Sequence, residues 1–154
     1  MAQAVTVVGP ELRTYLSGLA AACREALEMM PPAQRGVGFM NFPRGTCGPV
    51  TELMGRLVFE ATRKAGLYVS GAGHPDLPRQ QSHAWLDVDG LLVDLTHDQF
   101  TETGLVGWVF DSSRWHSMFV SEKLPLCLDP QNWLEYPHAA YAVMKRAAQI
   151  NGLL

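Results

Sequence analysis

Apolar residues recur at spacings of three and four after Pro10: Leu12, Tyr15, Leu16, Leu19, Ala22, Cys23, Ala26, Leu27 and Met30. That period predicts an amphipathic helix. Pro31 and Pro32 stop it, because each lacks an N–H and its ring clashes with the preceding turn. Residues 31 to 46, rich in Pro, Gly and Arg, read as an irregular loop. A second stripe, Val50, Met54, Leu57, Val58 and Ala61, predicts a helix from Cys47 to Ala65. Pro49 suits its first turn and Glu52 its positive dipole end. Arg63 and Lys64 suit the negative end, and Gly66 is the expected C-cap.

From Gly66 the period changes to two. "GLYVSGAG" predicts a strand, "HPDLPRQQ" a polar loop, and "SHAWLDVDGLLVDLT" two strands joined at Asp89 and Gly90. An Asp-Gly pair between apolar runs is a strong hairpin signal, since a type I′ turn needs positive φ at both positions. A two-residue turn there sets Asp94 opposite Trp85 and Thr96 opposite His83. His83, Trp85, Asp87, Leu92, Asp94 and Thr96 then share one face, with His83 and Asp94 as diagonal neighbours. A three-residue loop would move Asp94 to the other face. A further strand is expected in "LVGWVF" and a closing helix after Pro137, while residues 112 to 129 carry no clear period. The expectation is a single α+β domain over residues 1 to 154, in which the Cys47 helix packs on an antiparallel sheet flanked by N- and C-terminal helices.

Composition narrows the function classes. With 47% hydrophobic and 18% charged residues the chain can build a core. A net charge of -3 and a pI near 5.9, with Lys and Arg scattered, argue against a nucleic-acid partner. No apolar run reaches membrane-span length and no signal-peptide pattern opens the chain, so no membrane partner is expected. Three cysteines, Cys23, Cys47 and Cys127, without a CxxC spacing suit a reducing compartment. The expected location is the cytoplasm, or another cell reached without a cleavable signal. Cys23 lies on the first helical stripe and reads as a structural thiol, as does Cys127 in "LPLCLD". His74, His97, His116 and His138 show no ligand spacing, so no metal or cofactor is expected.

Taken alone, Cys47 is most simply a core thiol on the face of Val50, Met54 and Val58. Its position changes that reading. A thiol is a nucleophile only as thiolate, and two devices lower its pKa: unpaired N–H groups at a helix N-terminus and a neighbouring imidazolium. Cys47 opens a helix, between Gly45 and Gly48, which let the backbone turn and a carbonyl approach, and its own N–H is available to an oxyanion. The hairpin supplies His83 and, to orient it, Asp94, with Asp98 and then Asp87 as alternatives. Trp85, on the same face, would shield the pair from water. The loop from Gly71 to Gln81, just before His83, reads either as a plain surface connection or as a rim over the cleft.

At these residues the chain resembles a known group. "GTCGPVTELMGRLVFEATRKAGL" followed by "SHAWLDVDGLLVDLT" is similar to the core of papain-like and transglutaminase-like thiol enzymes, over about residues 41 to 100. In that group a His-Ala-Trp strand and an Asp-Pro-Thr-type strand end complete a Cys-His-Asp triad. The resemblance implies Cys47 as nucleophile, His83 as general base and Asp94 as its orienting group, and sets Asn41 where papain-like proteases carry an oxyanion-stabilising glutamine. It departs at Asp94-Leu95-Thr96, which has leucine in place of proline, and the chain has no room for calcium-dependent accessory domains. It implies a cysteine peptidase, amidase, deamidase or transglutaminase-like transferase, with a protein or peptide amide as substrate. For a delivered toxin an immunity protein would be a second partner. The alternative from a different class is an inactive fold of this shape that binds a peptide in the former cleft.

Overall fold

The computed structural model describes residues 9–133 and 137–154. Its helices are α1 (Pro10–Met29), α2 (Cys47–Thr62), α3 (Arg114–Ser117) and α4 (Pro137–Ile150). The strands are β1 (Leu67–Ala72), β2 (Ser82–Val88), β3 (Leu91–Val93), β4 (Val109–Phe110) and β5 (Val120–Pro125). They form one antiparallel sheet in the order β4-β3-β2-β1-β5. The expected α+β class is what the chain adopts.

The two apolar stripes read from the sequence build the main core. Leu12, Leu16, Leu19, Cys23 and Leu27 of α1 meet Val50, Met54, Leu57 and Val58 of α2, and α4 adds Ala140, Met144 and Ala148. These helices cover the sheet face that carries Leu86, Val88 and Val93. Alternation along β2 sends His83 and Trp85 to the other face, where a smaller cluster joins Trp85 to Val69, Trp115 and Phe119.

The hairpin register is the expected one. Leu86 pairs with Val93, Asp87 with Leu92 and Val88 with Leu91 across a two-residue turn. Asp89 and Gly90 have φ of 52° and 88°, so both central residues lie in the left-handed region that type I′ requires. Asp87 Oδ1 accepts the Gly90 N–H at 2.9 Å and fixes the turn.

Three boundaries differ from the sequence reading. α2 ends at Thr62, not Ala65, and the left-handed residue that stops it is Arg63, whose N–H bonds to the Phe59 carbonyl at 2.8 Å. Gly66 serves close approach instead of capping, since a Cβ there would lie 2.8 Å from the Asp87 carbonyl oxygen. The strand expected in "LVGWVF" shrinks to Val109–Phe110 because Gly107 has φ of 78°. Residues 112 to 129 hold the short helix α3 and the edge strand β5, which pairs with β1. Among the described residues no helix is long and apolar enough to cross a membrane.

Candidate active site

Cys47 is the first residue of α2, after Gly45 with φ of 69°. The preceding Thr46 does not cap the helix. Its hydroxyl donates to the Pro43 carbonyl at 2.7 Å, so Thr46 takes none of the first N–H groups of α2. Pro49 has no N–H to compete. The Cys47 thiol is half-buried, and this burial alone would raise its pKa; the hydrogen bond and charge of His83, with the N–H groups of Ala84 and Gly48, outweigh it and the net direction is down. Both devices expected from the sequence therefore act on one sulfur.

The register places the second and third groups. His83, 1% exposed, donates from Nε2 to Asp94 Oδ2 at 2.6 Å. Its Nδ1 makes no hydrogen bond among the described residues, and Cys47 lies near enough to act on the ring electrostatically. Burial would lower the pKa of His83, but the Asp94 charge and hydrogen bond, helped by Cys47, raise it to about 9. Burial would raise that of Asp94; the charge of His83 and the hydrogen bonds from His116 and His83 hold it far below the usual carboxylate range.

Asp94 is fixed on its other oxygen by its own strand end. Oδ1 accepts the Thr96 N–H at 3.0 Å, and the Thr96 hydroxyl lies 3.4 Å away. The Asp94 N–H binds the Trp108 carbonyl at 2.9 Å. The alternatives are committed elsewhere. Asp98 forms a two-armed pair with Arg24 at 2.7 and 2.8 Å, and Asp87 holds the turn and Lys123 at 3.2 Å. Trp85 lies beside His83 with ring centroids 5.9 Å apart, and Phe100 meets the same imidazole edge-on at 5.0 Å. Asn41 does not join the group: it is exposed and lines a separate recess with Phe42, Arg44 and Gly45. The loop before His83 is anchored by buried His74, which contacts the Trp115 carbonyl at 3.0 Å.

Three residues of this region carried no usable signal in the sequence. His116 reaches Asp94 Oδ2 from α3 at 2.7 Å, across a segment without periodicity. Arg24, 6% exposed, sits within the apolar stripe of α1, stacked between Phe42 and Trp108, and bonds the Leu95 carbonyl at 2.6 Å next to Asp94. Tyr68 of β1 brings its hydroxyl to Gly48, where a Cβ would lie 3.2 Å from it. Burial, then the charges of Cys47 and Glu52, raise the pKa of Tyr68.

His83, Asp94 and His116 offer ligand atoms within 4.8 Å of one another. Their N–O separations of 2.6 and 2.7 Å are hydrogen-bond lengths. Two donors on one tetrahedral ion at about 2.0 to 2.2 Å would stand roughly 3.3 Å apart. The geometry is that of a proton-bridged network. Comparison with protein-family models, curated proteins and solved structures returned no match for this chain.

Proposed function

We propose that this protein is a cysteine-dependent amide hydrolase or acyltransferase built on a papain-like or transglutaminase-like core, with Cys47 as nucleophile, His83 as acid and base, and Asp94 orienting the imidazole. The observation that carries this reading is the placement, at the uncapped start of α2, of a thiol lowered by His83, whose ring is held by a buried, four-contact carboxylate. A buried imidazole with its far nitrogen held at 2.6 Å has one orientation, and its remaining nitrogen is left without a hydrogen-bond partner among the described residues, beside a thiol that His83 pushes down.

In the reaction the Cys47 thiolate attacks the amide carbonyl carbon and an S–C bond forms. The oxyanion is held by the N–H of Cys47, which the helix ladder leaves free, and by the Tyr68 hydroxyl in the place that Asn41 does not fill. His83 passes the Nδ1 proton to the amine nitrogen, the C–N bond breaks, and a thioester remains. Water or an amine then attacks the thioester, gives its proton to His83, and restores the thiolate. Asp94 stays ionised throughout and stabilises the imidazolium.

The test is alkylation of the native protein with iodoacetamide, mapped by peptide mass spectrometry over a pH series. Fast labelling selective for Cys47 and lost in His83→Ala supports the reading. A Cys47 as slow as Cys23 and Cys127 overturns it.

A further inference from the structure

Asp94 Oδ2 accepts hydrogen bonds from two imidazoles at once, His83 Nε2 at 2.6 Å and His116 Nε2 at 2.7 Å. A thiol site of the proposed kind needs only one of them. His116 is 2% exposed and locked from its other side, where Nδ1 lies 2.6 Å from the Ser113 hydroxyl, which also accepts the His116 N–H at 3.1 Å. An ionised carboxylate can only accept, so both Nε2 atoms carry hydrogens; in a neutral His116 Nδ1 is then the acceptor and takes the Ser113 hydroxyl hydrogen, which holds the ring in one tautomer. The ring is wedged against Trp85 at 4.7 Å and Trp115 at 5.0 Å.

We propose that His116 is a positioning residue, which anchors Asp94 for His83 and withholds part of the carboxylate's charge from it. The inference rests on the thiol-enzyme reading for its purpose, but its measurement does not. A neutral N–H dipole pointed at Oδ2 stabilises the anion and opposes the pull of the same oxygen on the His83 proton. With Asp94 alone, His83 would hold its proton still more tightly than it does at about 9, and so stand further from the operating pH near which an acid works best. The other titratable groups facing His116 are Asp87 of β2 and Lys123 of β5, which pair with each other, His97 after β3, and His83 itself. Burial first, then the repulsion of His83 and His97, outweighs Asp94 and leaves the pKa of His116 lowered, in keeping with a ring that stays neutral beside a charged His83.

The experiment follows imidazole NMR signals of His83 against pH in the full chain, for wild type, His116→Phe, His116→Gln and Ser113→Ala. Phenylalanine fills the space without a donor. We expect His83 to titrate about one unit higher, roughly a tenfold rise in proton affinity. Glutamine places an amide N–H where Nε2 stood and restores a value near wild type. Ser113→Ala, which frees the tautomer, moves His83 in the same direction as phenylalanine by less, and it decides the matter if His116→Phe does not fold. A His83 that titrates at the wild-type pH or lower in His116→Phe overturns the proposal, as does a glutamine variant that behaves like phenylalanine. Alkylation of Cys47 in the same samples separates the two readings: a sluggish Cys47 with a shifted His83 defeats the thiol enzyme and leaves the positioning role standing.

Discussion

Cys23 and Cys47 are two free thiols, each on a helix and each withdrawn from water, with opposite chemistry. Cys23 lies on α1 facing α4, fully buried, with the Met144 carbonyl at 3.9 Å, and its burial pushes its pKa up to about 12. Cys47 is also desolvated, yet its pKa goes down, because His83 and two backbone N–H groups stabilise the anion. Burial alone makes a thiol inert. What separates the two is the supply of donors, which Cys47 draws from β2 as well as from the first turn of its own helix.

The sharpest way to break this comparison is to measure both thiols in one native sample. At pH 7 a thiol with a pKa near 12 is about one part in 100,000 thiolate, so Cys47 is expected to react with iodoacetamide at least roughly a thousandfold faster than Cys23. Similar rates would show that the supply of donors does not separate them.

The next largest effect strikes the carboxylate that sustains the contrast. Removing one partner of a buried, hydrogen-bonded pair costs about 3 kcal/mol, and Asp94→Asn is expected to lose that much stability in urea unfolding at pH 7. The pH dependence gives an independent check. His83 binds its proton more tightly folded than unfolded, so its contribution is complete below about pH 6.5 and is lost as pH rises through about 9. Wild type should therefore weaken between those values, and Asp94→Asn should show a much flatter profile there. Asp94 itself contributes above its unfolded pKa near 4, and loses that contribution as pH falls toward its lowered folded value.

Replacing His83 by glutamine sharpens the comparison from the other partner. The thiol keeps the Ala84 and Gly48 N–H groups but loses the charge and hydrogen bond of the imidazole. Alkylation at pH 7 is expected to drop about ten- to a hundredfold and to recover as pH rises toward the ordinary thiol range, while Cys23 is unchanged. An undiminished rate would assign the activation to the backbone N–H groups alone.

How much of this was legible in the chain follows the range of each signal. Helices α1 and α2 and the hairpin were readable because their causes are local: an apolar stripe, a proline stop, and an Asp-Gly pair that permits only one turn geometry. The His83–Asp94 contact followed, since a two-residue turn fixes register and register fixes which side chains meet. His116 was invisible because its approach to Asp94 depends on a four-residue helix in a stretch without period. Arg24 was hidden by its own helix: an arginine on an apolar face reads as an interruption until Phe42, Trp108 and Asp98 are seen to enclose it. The end of α2 was misplaced because Gly66 has two competing uses, and contact with β2 won.

Two aspartates four residues apart complete the contrast and give its smallest predicted effect. Asp94 is 1% exposed and serves two histidines, whereas Asp98 keeps 39% of its side chain in water and serves Arg24. A partly exposed ion pair contributes roughly 0.2 to 1 kcal/mol, so Asp98→Asn should cost no more than about 1 kcal/mol in urea unfolding. Arg24 would still bond the Leu95 carbonyl, and so the strand end that carries Asp94 should keep its place. The pH profile of Cys47 alkylation in Asp98→Asn should then overlay that of wild type. A displaced profile would mean that the Arg24–Asp98 pair sets the position of Asp94, and that the site extends from the sheet into α1.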